Sequence, residues 1–231
     1  MEDKKRLLDI ISLIDKNKKV IDIGTDHGLV PLYLAKNGIS KDILATDISE
    51  KSLDKLRMKL DDKLKEIIKT RVTDGFLGIE KEDNQVAIIA GMGANTIIDI
   101  IEKSLDFAKN LDYLVLASNV NTEKLRIYLN ENNFEILNDF LSYENNKYYD
   151  ILKVSFGKAK KLTLAEIYYG KDDISKKASL LKEKLAIDYV KNQAFRKDIL
   201  NKSDDLKSLS RIDEKIKAIE EIRNIWKLEN W

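Results

Sequence analysis

Leu7, Leu8, Ile10, Ile11 and Ile14 recur at the spacing of one helical face and predict an amphipathic helix over residues 3–16. The rhythm then changes. KKVIDIG (18–24), DILATDI (42–48), IIKTRVT (67–73), QVAIIAG (85–91) and DYLVLAS (112–118) are short, β-branched and mostly continuous apolar runs. A strand buried on both faces needs such a run, and the helical segments expected between them supply the crossovers of parallel strands. Five β-α units are therefore predicted in order. FEILNDFLSY (134–143) and KYYDILKVSF (147–156), separated by Glu144, Asn145 and Asn146, read as an antiparallel hairpin. Beyond Gly157 no strand pattern remains. Two helices are predicted, about 174–201 and 205–228, flanking Asn201, Lys202 and Ser203. Ile212, Ile216, Ile219, Ile222 and Trp226 are spaced by four and three, as in a coiled-coil seam. Thr163–Tyr169 is expected to form a short connecting helix.

The predicted architecture is α/β: a Rossmann-like sheet of seven strands with a terminal antiparallel hairpin over residues 1–157, then a C-terminal helical coiled-coil hairpin over 158–231. A dinucleotide dehydrogenase would continue with further β-α units. By analogy the hairpin favours the class I methyltransferase arrangement.

Composition narrows the chemistry. The chain has 231 residues, 43% hydrophobic and 35% charged, with a single proline, which fits a strongly helical globular protein. It has no cysteine and one histidine, His27, which excludes disulfides, thiolate-bound zinc and a histidine-rich metal site, so no metal is expected. The first residues lack the apolar core of a secretory signal, and no membrane segment is apparent, so a cytoplasmic protein is expected. Charge is uneven: residues 1–156 carry 23 Lys/Arg against 27 Asp/Glu, and residues 157–231 carry 18 against 13. A basic tail on an acidic body suits contact with a polyanion, although a mixed-charge helical surface is also simply solvated.

The candidate chemistry lies at the carboxyl ends of the strands, the ligand edge of an open α/β sheet. The first strand ends in Asp22-Ile23-Gly24-Thr25-Asp26-His27-Gly28 and enters a helix opened by Leu29, Val30 and Pro31. Glycines allow a tight turn and a close ligand approach, and proline is tolerated in a first helical turn. The pattern lacks the G-x-G-x-x-G that cradles a pyrophosphate. S-adenosylmethionine has no phosphate, so an acid can stand at the first position. Asp47, twenty-three residues beyond Gly24 and followed by Ile48, is placed to accept both ribose hydroxyls. Asp74-Gly75 could accept the adenine amine, and Gly91-Met92-Gly93 could line the groove between cofactor and substrate. Individually, Asp47 or Asp74 could be a solvated loop acid and Met92 a core residue. Their joint occurrence after strands one to four points to a nucleoside cofactor, held by Asp22, Gly24, Thr25, Asp26, Gly28, Asp47, Ile48, Asp74, Gly75, Gly91, Met92 and Gly93.

With these residues in view, the chain resembles the bacterial tRNA adenine-N1 methyltransferases that act on adenine 22. The carrying segments are DIGTDHGLVPLYL (22–34), ATDI (45–48), Asp74-Gly75, IAGMG (89–93), LRIYL (125–129), KYYDIL (147–152) and AEIYYG (165–170). The resemblance extends through the helical tail. It implies an S-adenosylmethionine-dependent enzyme that methylates N1 of an adenine in the D-arm region of tRNA. The chain departs from the family at Ala117-Ser118-Asn119, where Gln-Pro-Asn is usual, and at Ala94, where a second glycine is usual. Both departures bear on the shape of the substrate pocket.

Methyl transfer is an in-line displacement that needs positioning more than a covalent nucleophile. Because the methylated base is cationic, a nearby carboxylate is favoured, and Asp26 is the first candidate. His27 could orient the base or cap the helix, Asn119 could bond its edge, and Tyr148 or Tyr149 could stack on it or serve as packing. For phosphate contacts the candidates are Lys158, Lys160, Lys161, Lys176, Lys177, Arg196 and Lys197. tRNA is the expected partner, and the chain is expected to be a monomer or a weak dimer through its tail. Competing readings are methylation of another RNA base, a nucleotide-cofactor oxidoreductase, and a catalytically silent RNA-binding adaptor.

Overall fold

The computed structural model describes residues 5–202 and 205–228. Its strands are β1 (Lys19–Ile23), β2 (Asp42–Asp47), β3 (Ile68–Val72), β4 (Gln85–Ala90), β5 (Tyr113–Ser118), β6 (Phe134–Glu144) and β7 (Lys147–Phe156). The helices are α1 (Lys5–Ile11), α2 (Leu29–Lys36), α3 (Glu50–Arg57), α4 (Asp62–Ile67), α5 (Ala94–Lys103), α6 (Leu105–Asn110), α7 (Thr122–Glu131), α8 (Leu164–Tyr169), α9 (Lys171–Lys176), α10 (Ser179–Lys202) and α11 (Leu206–Trp226).

The strands form one seven-stranded sheet in the order β3-β2-β1-β4-β5-β7-β6. Strands β1 to β5 pair in parallel with one another, and β7 runs antiparallel to β5. Burial follows position. β5 is buried at every residue and β4 at all but its last, whereas the edge strand β3 is largely exposed. This is why the central runs read as unbroken apolar sequence. Between β6 and β7, Asn145 and Asn146 take φ of 51° and 58°, the left-handed pair that closes a tight hairpin. The order reverses at β1, with β2 on one side and β4 on the other, and this switch point opens the ligand crevice.

Three expectations need correction. The first helix ends at Ile11, not residue 16, because the next amides tighten: Leu13 and Ile14 donate to Ile10 and Ile11, three residues back. The expected start of that helix at residue 3 lies outside the described residues. No helix links β3 to β4. The connecting segment contains turns, with Gly75 and Gly78 at φ of 59° and 67°, so the expected run of five β-α units is interrupted there. The first long tail helix is broken in two at Lys177, whose φ of 53° ends α9 while the Ala178 N–H donates to the Asp173 carbonyl.

By compactness the chain forms two units, one of Met1–Asn138 with Ser142–Lys160 and the other of Asp139–Leu141 with Lys161–Trp231. In the second, Thr163 and Glu166 form a reciprocal capping box at the start of α8. α11 packs against both α8 and α10. Ile216, Ile219, Ile222 and Trp226 of the expected seam are buried, and the Trp226 indole N–H donates to the Ile174 carbonyl at 2.8 Å. Ser203, in the expected break between the long helices, lies outside the described residues. Among the described residues no helix is long and apolar enough to cross a membrane.

Candidate functional site

The loop leaving β1 is tied to β2 by two backbone bonds, the Gly24 and Thr25 N–H groups each donating to the Thr46 carbonyl at 2.9 Å. Gly24 (φ 74°) and Asp26 (φ 42°) carry the chain through left-handed conformations. For a side chain such as that of Asp26 this costs about 1–3 kcal/mol, strain that surrounding contacts must hold and that clusters at functional sites. Asp22 is buried at the end of β1 and accepts a hydrogen bond from the Thr25 hydroxyl. Burial pushes its carboxyl up to about 6, and the nearby Asp47 charge pushes the same way. Asp47 is held by the backbone: Oδ1 accepts from the Ser49 N–H at 2.8 Å, and Oδ2 from the Asp26 N–H at 3.3 Å.

These groups line a cavity of about 640 Å³, within the size range of small-molecule sites. Asp22, Gly24, Thr25, Asp26 and His27 come from the first loop, Asp47 and Ile48 from the end of β2, Asp74 and Gly75 from the end of β3, and Gly91 and Met92 from the end of β4. Gly91, at φ 80°, has open space where a side chain would stand. At Gly24 a Cβ would lie 2.2 Å from the Met92 Cε, so this glycine lets the β1 and β4 loops approach. Asp26 lies 3.4 Å from the Lys55 ammonium and 3.4 Å from the His27 Nε2. Lys59 donates to the His27 carbonyl at 2.8 Å. α2 is capped by Gly28 without a side-chain bond, so His27 faces the cavity and does not cap the helix.

Five residues expected around the cofactor or target base, Gly28, Gly93, Asn119, Tyr148 and Tyr149, are not among those lining the cavity. Gly28 (φ 68°) serves packing: a Cβ there would lie 2.4 Å from Leu56, which is fully buried. Gly93 is the N-cap residue of α5. Asn119 is exposed in the turn after β5, where the neighbouring Val120 carbonyl accepts from the Ala94 N–H. Tyr148 packs on Tyr143 with ring centroids 4.8 Å apart.

Sequence reasoning missed two contributors. α1 supplies Arg6, Leu7 and Ile10, and α5 supplies Thr96, Asp99, Ile100 and Lys103. The α5 set has the spacing of one helical face, beside the buried Ile97 and Ile101, so its pattern was available. Lys103 pairs with Asp74 at 2.7 Å, which orients that acid toward α5. Of the basic candidates, Lys158, Lys160, Lys161, Lys176, Lys177 and Lys197 are exposed. Arg196 is instead paired with Asp213 at 2.7 Å.

The cavity can hold a nucleoside: an oriented acceptor on β2 suits a ribose diol, and open glycine backbone lets the ligand approach the sheet. The sequence matches the family model described as "Methyltransferase domain" over residues 3–152. It is 31% identical over 167 residues to a "Putative tRNA methyltransferase" of Mycoplasma pneumoniae, covering 71% of this chain and 76% of that protein. It is 26% identical over 154 residues to the tRNA (adenine(22)-N(1))-methyltransferase of Bacillus subtilis, covering 66% of this chain and 65% of that protein, just under two thirds of its length. Among solved structures it resembles a Streptococcus pneumoniae "putative tRNA (m1A22) methyltransferase, in complex with S-adenosyl-L-methionine", with a TM-score of 0.83 and 27% identity, covering 95% of this chain and 99% of that one.

Proposed function

The chain belongs to the methyltransferase-domain family, and on that premise we propose that it transfers a methyl group from S-adenosylmethionine to N1 of adenine 22 in tRNA. The observation that carries the reading is the joint presence of the backbone-held Asp47 carboxylate, the tight Gly24 turn and the open backbone at Gly91 around one cavity. The named activity of the relatives supports the base and position.

When bound, S-adenosylmethionine supplies a methyl group on a sulfonium, ready for in-line displacement. Asp47 accepts from the ribose hydroxyls, with both oxygens already turned by the Ser49 and Asp26 amides. Asp74 meets the adenine end, and Ile48, three-quarters exposed, offers it an apolar face. Gly91 admits the ligand where a side chain would fill the groove, while Gly24 brings the first loop against Met92. Asp26 faces the acceptor and offsets the positive charge that N1 gains, while His27 orients the base. No residue needs to form a covalent bond.

Residues 1–157 are the catalytic part and 158–231 the tRNA-binding part, in which the exposed lysines named above neutralise phosphates. Extruding the target adenine costs a few kcal/mol, which such contacts offset. The protein acts in the cytoplasm, as a monomer or a weak dimer through its tail. Incubation with bulk tRNA and S-adenosylmethionine, followed by nucleoside mass spectrometry, tests the reading: 1-methyladenosine should accumulate. Accumulation of a different methylated nucleoside would redirect the substrate assignment, and tRNA binding without turnover would favour a silent adaptor.

A further inference from the structure

Arg6 lines the cavity from α1 with a guanidinium that is held in place but only partly used. Its backbone N–H donates to one Glu144 carboxylate oxygen at 3.2 Å, and its Nε lies 3.6 Å from the other. The ring of Tyr149 lies under Cζ at 4.5 Å. Among the described residues no hydrogen bond or ion pair engages the two terminal nitrogens, Nη1 and Nη2. Glu144 is 9% exposed and Arg6 31% exposed, so the pair is largely removed from water.

The arrangement is a built fork. Glu144 offsets the charge of a half-buried guanidinium, and Tyr149 fixes its plane by stacking. A carboxylate serving only to neutralise arginine would take it bidentately, whereas Glu144 spends one oxygen on the backbone and leaves the outer edge of the fork open. α1 packs on α2, β5 and β7, and in the sheet order β5 and β7 lie across β1 and β4 from β2 and β3, the strands that end at or before Asp47 and Asp74 in the cavity wall.

We infer that Arg6 is an oxyanion-binding residue, its open guanidinium edge taking two oxygens of a carboxylate or phosphate at the acceptor end of the cavity. The inference rests on the proposed function, in which Asp47 and Asp74 take the nucleoside end. Two oxyanions then come to the opposite end: the amino-acid carboxylate of the cofactor and a phosphate of the target nucleotide.

The test uses the full chain and two variants, Arg6→Gln, which removes the charge, and Arg6→Lys, which keeps the charge but loses the fork. Calorimetry reads affinity for S-adenosylhomocysteine and for 5′-methylthioadenosine, which lacks the carboxylate, and steady-state kinetics reads KM and kcat for tRNA. Carboxylate binding predicts an affinity loss of about tenfold or more for S-adenosylhomocysteine in Arg6→Gln, with 5′-methylthioadenosine unchanged. Phosphate binding predicts unchanged affinity for both, with KM for tRNA raised about tenfold and kcat little altered. In either case Arg6→Lys shifts the same quantity in the same direction, which decides the matter if Arg6→Gln does not fold. Unchanged values throughout, or equal losses for both nucleosides, overturn the inference. A wild-type protein that binds neither nucleoside and methylates no tRNA overturns the underlying reading, and this inference falls with it.

Discussion

Asp47 and Asp26 are joined through the backbone: the Asp26 N–H, in a left-handed residue, donates to the Asp47 Oδ2 at 3.3 Å. One loop therefore both aims the acid proposed to hold the ribose and presents the acid proposed to face the target base.

Asp47→Ala should weaken S-adenosylmethionine binding by roughly 1.5–3 kcal/mol, the range for hydrogen bonds to a charged group. Isothermal calorimetry checks this, with the melting temperature as the control for folding. Equal affinity in the two proteins would remove Asp47 from the site.

Asp26→Asn keeps the shape of the side chain and loses its charge. Cofactor affinity should stay near the wild-type value while the single-turnover rate falls at least tenfold, because the charge on the base develops only during transfer. Lys55 already lies 3.4 Å from Asp26, so Lys55→Met should not reproduce the defect. Identical single-turnover rates for Asp26→Asn and the wild type would end the assignment.

Asp22 links the site to pH. Its folded-state value of about 6 lies above the ordinary 3.8, so the folded protein holds a proton that the unfolded chain has released. Stability from this group is full below about pH 4, declines as pH rises toward 6 and stays reduced above it, by about 3 kcal/mol at most. In Asp22→Asn, thermal melts between pH 4 and pH 7 should lose this decline. A wild-type pH profile parallel to that of the variant would contradict the burial argument.

Gly28→Ala meets two obstacles, a φ of 68° and a Cβ position 2.4 Å from the buried Leu56. A loss of about 1–3 kcal/mol in denaturant unfolding is expected. Shortening the neighbour in Gly28→Ala/Leu56→Ala should leave the two effects less than additive. Strict additivity would show that the contact is not what excludes a side chain.

Lys176→Gln/Lys177→Gln should weaken tRNA binding and flatten its dependence on salt by about one unit of logarithmic slope for each phosphate no longer neutralised. Arg196→Gln should leave the slope near the wild-type value, because Arg196 is already paired with Asp213. If Arg196→Gln flattens the slope and the double variant does not, the phosphate-binding cations lie elsewhere on the tail.

Local sequence recorded the strands and loops well. Val86–Ile89 and Leu114–Ala117 had to be continuously apolar because both faces are covered, and Gly24 and Gly91 mark turns that only glycine makes easily. The break at Lys177 was hidden because a left-handed lysine carries no sign of its conformation in its identity. Arg6 was hidden for another reason: its role comes from α1 meeting Glu144 and Tyr149, which lie far away in sequence. The motif at Gly28 is the same whether its glycine meets a ligand or a packed neighbour, so the approach of Leu56 is not legible in it.

The proposed reaction is methyl transfer to one atom of one nucleotide. Two tRNA transcripts that differ only in carrying adenosine or guanosine at position 22 should be incubated with the protein and S-adenosylmethionine, then digested and sequenced by mass spectrometry. 1-Methyladenosine should appear at position 22 of the first transcript, with no methylation of the second. Equal methylation of both, or none of either, would contradict this assignment.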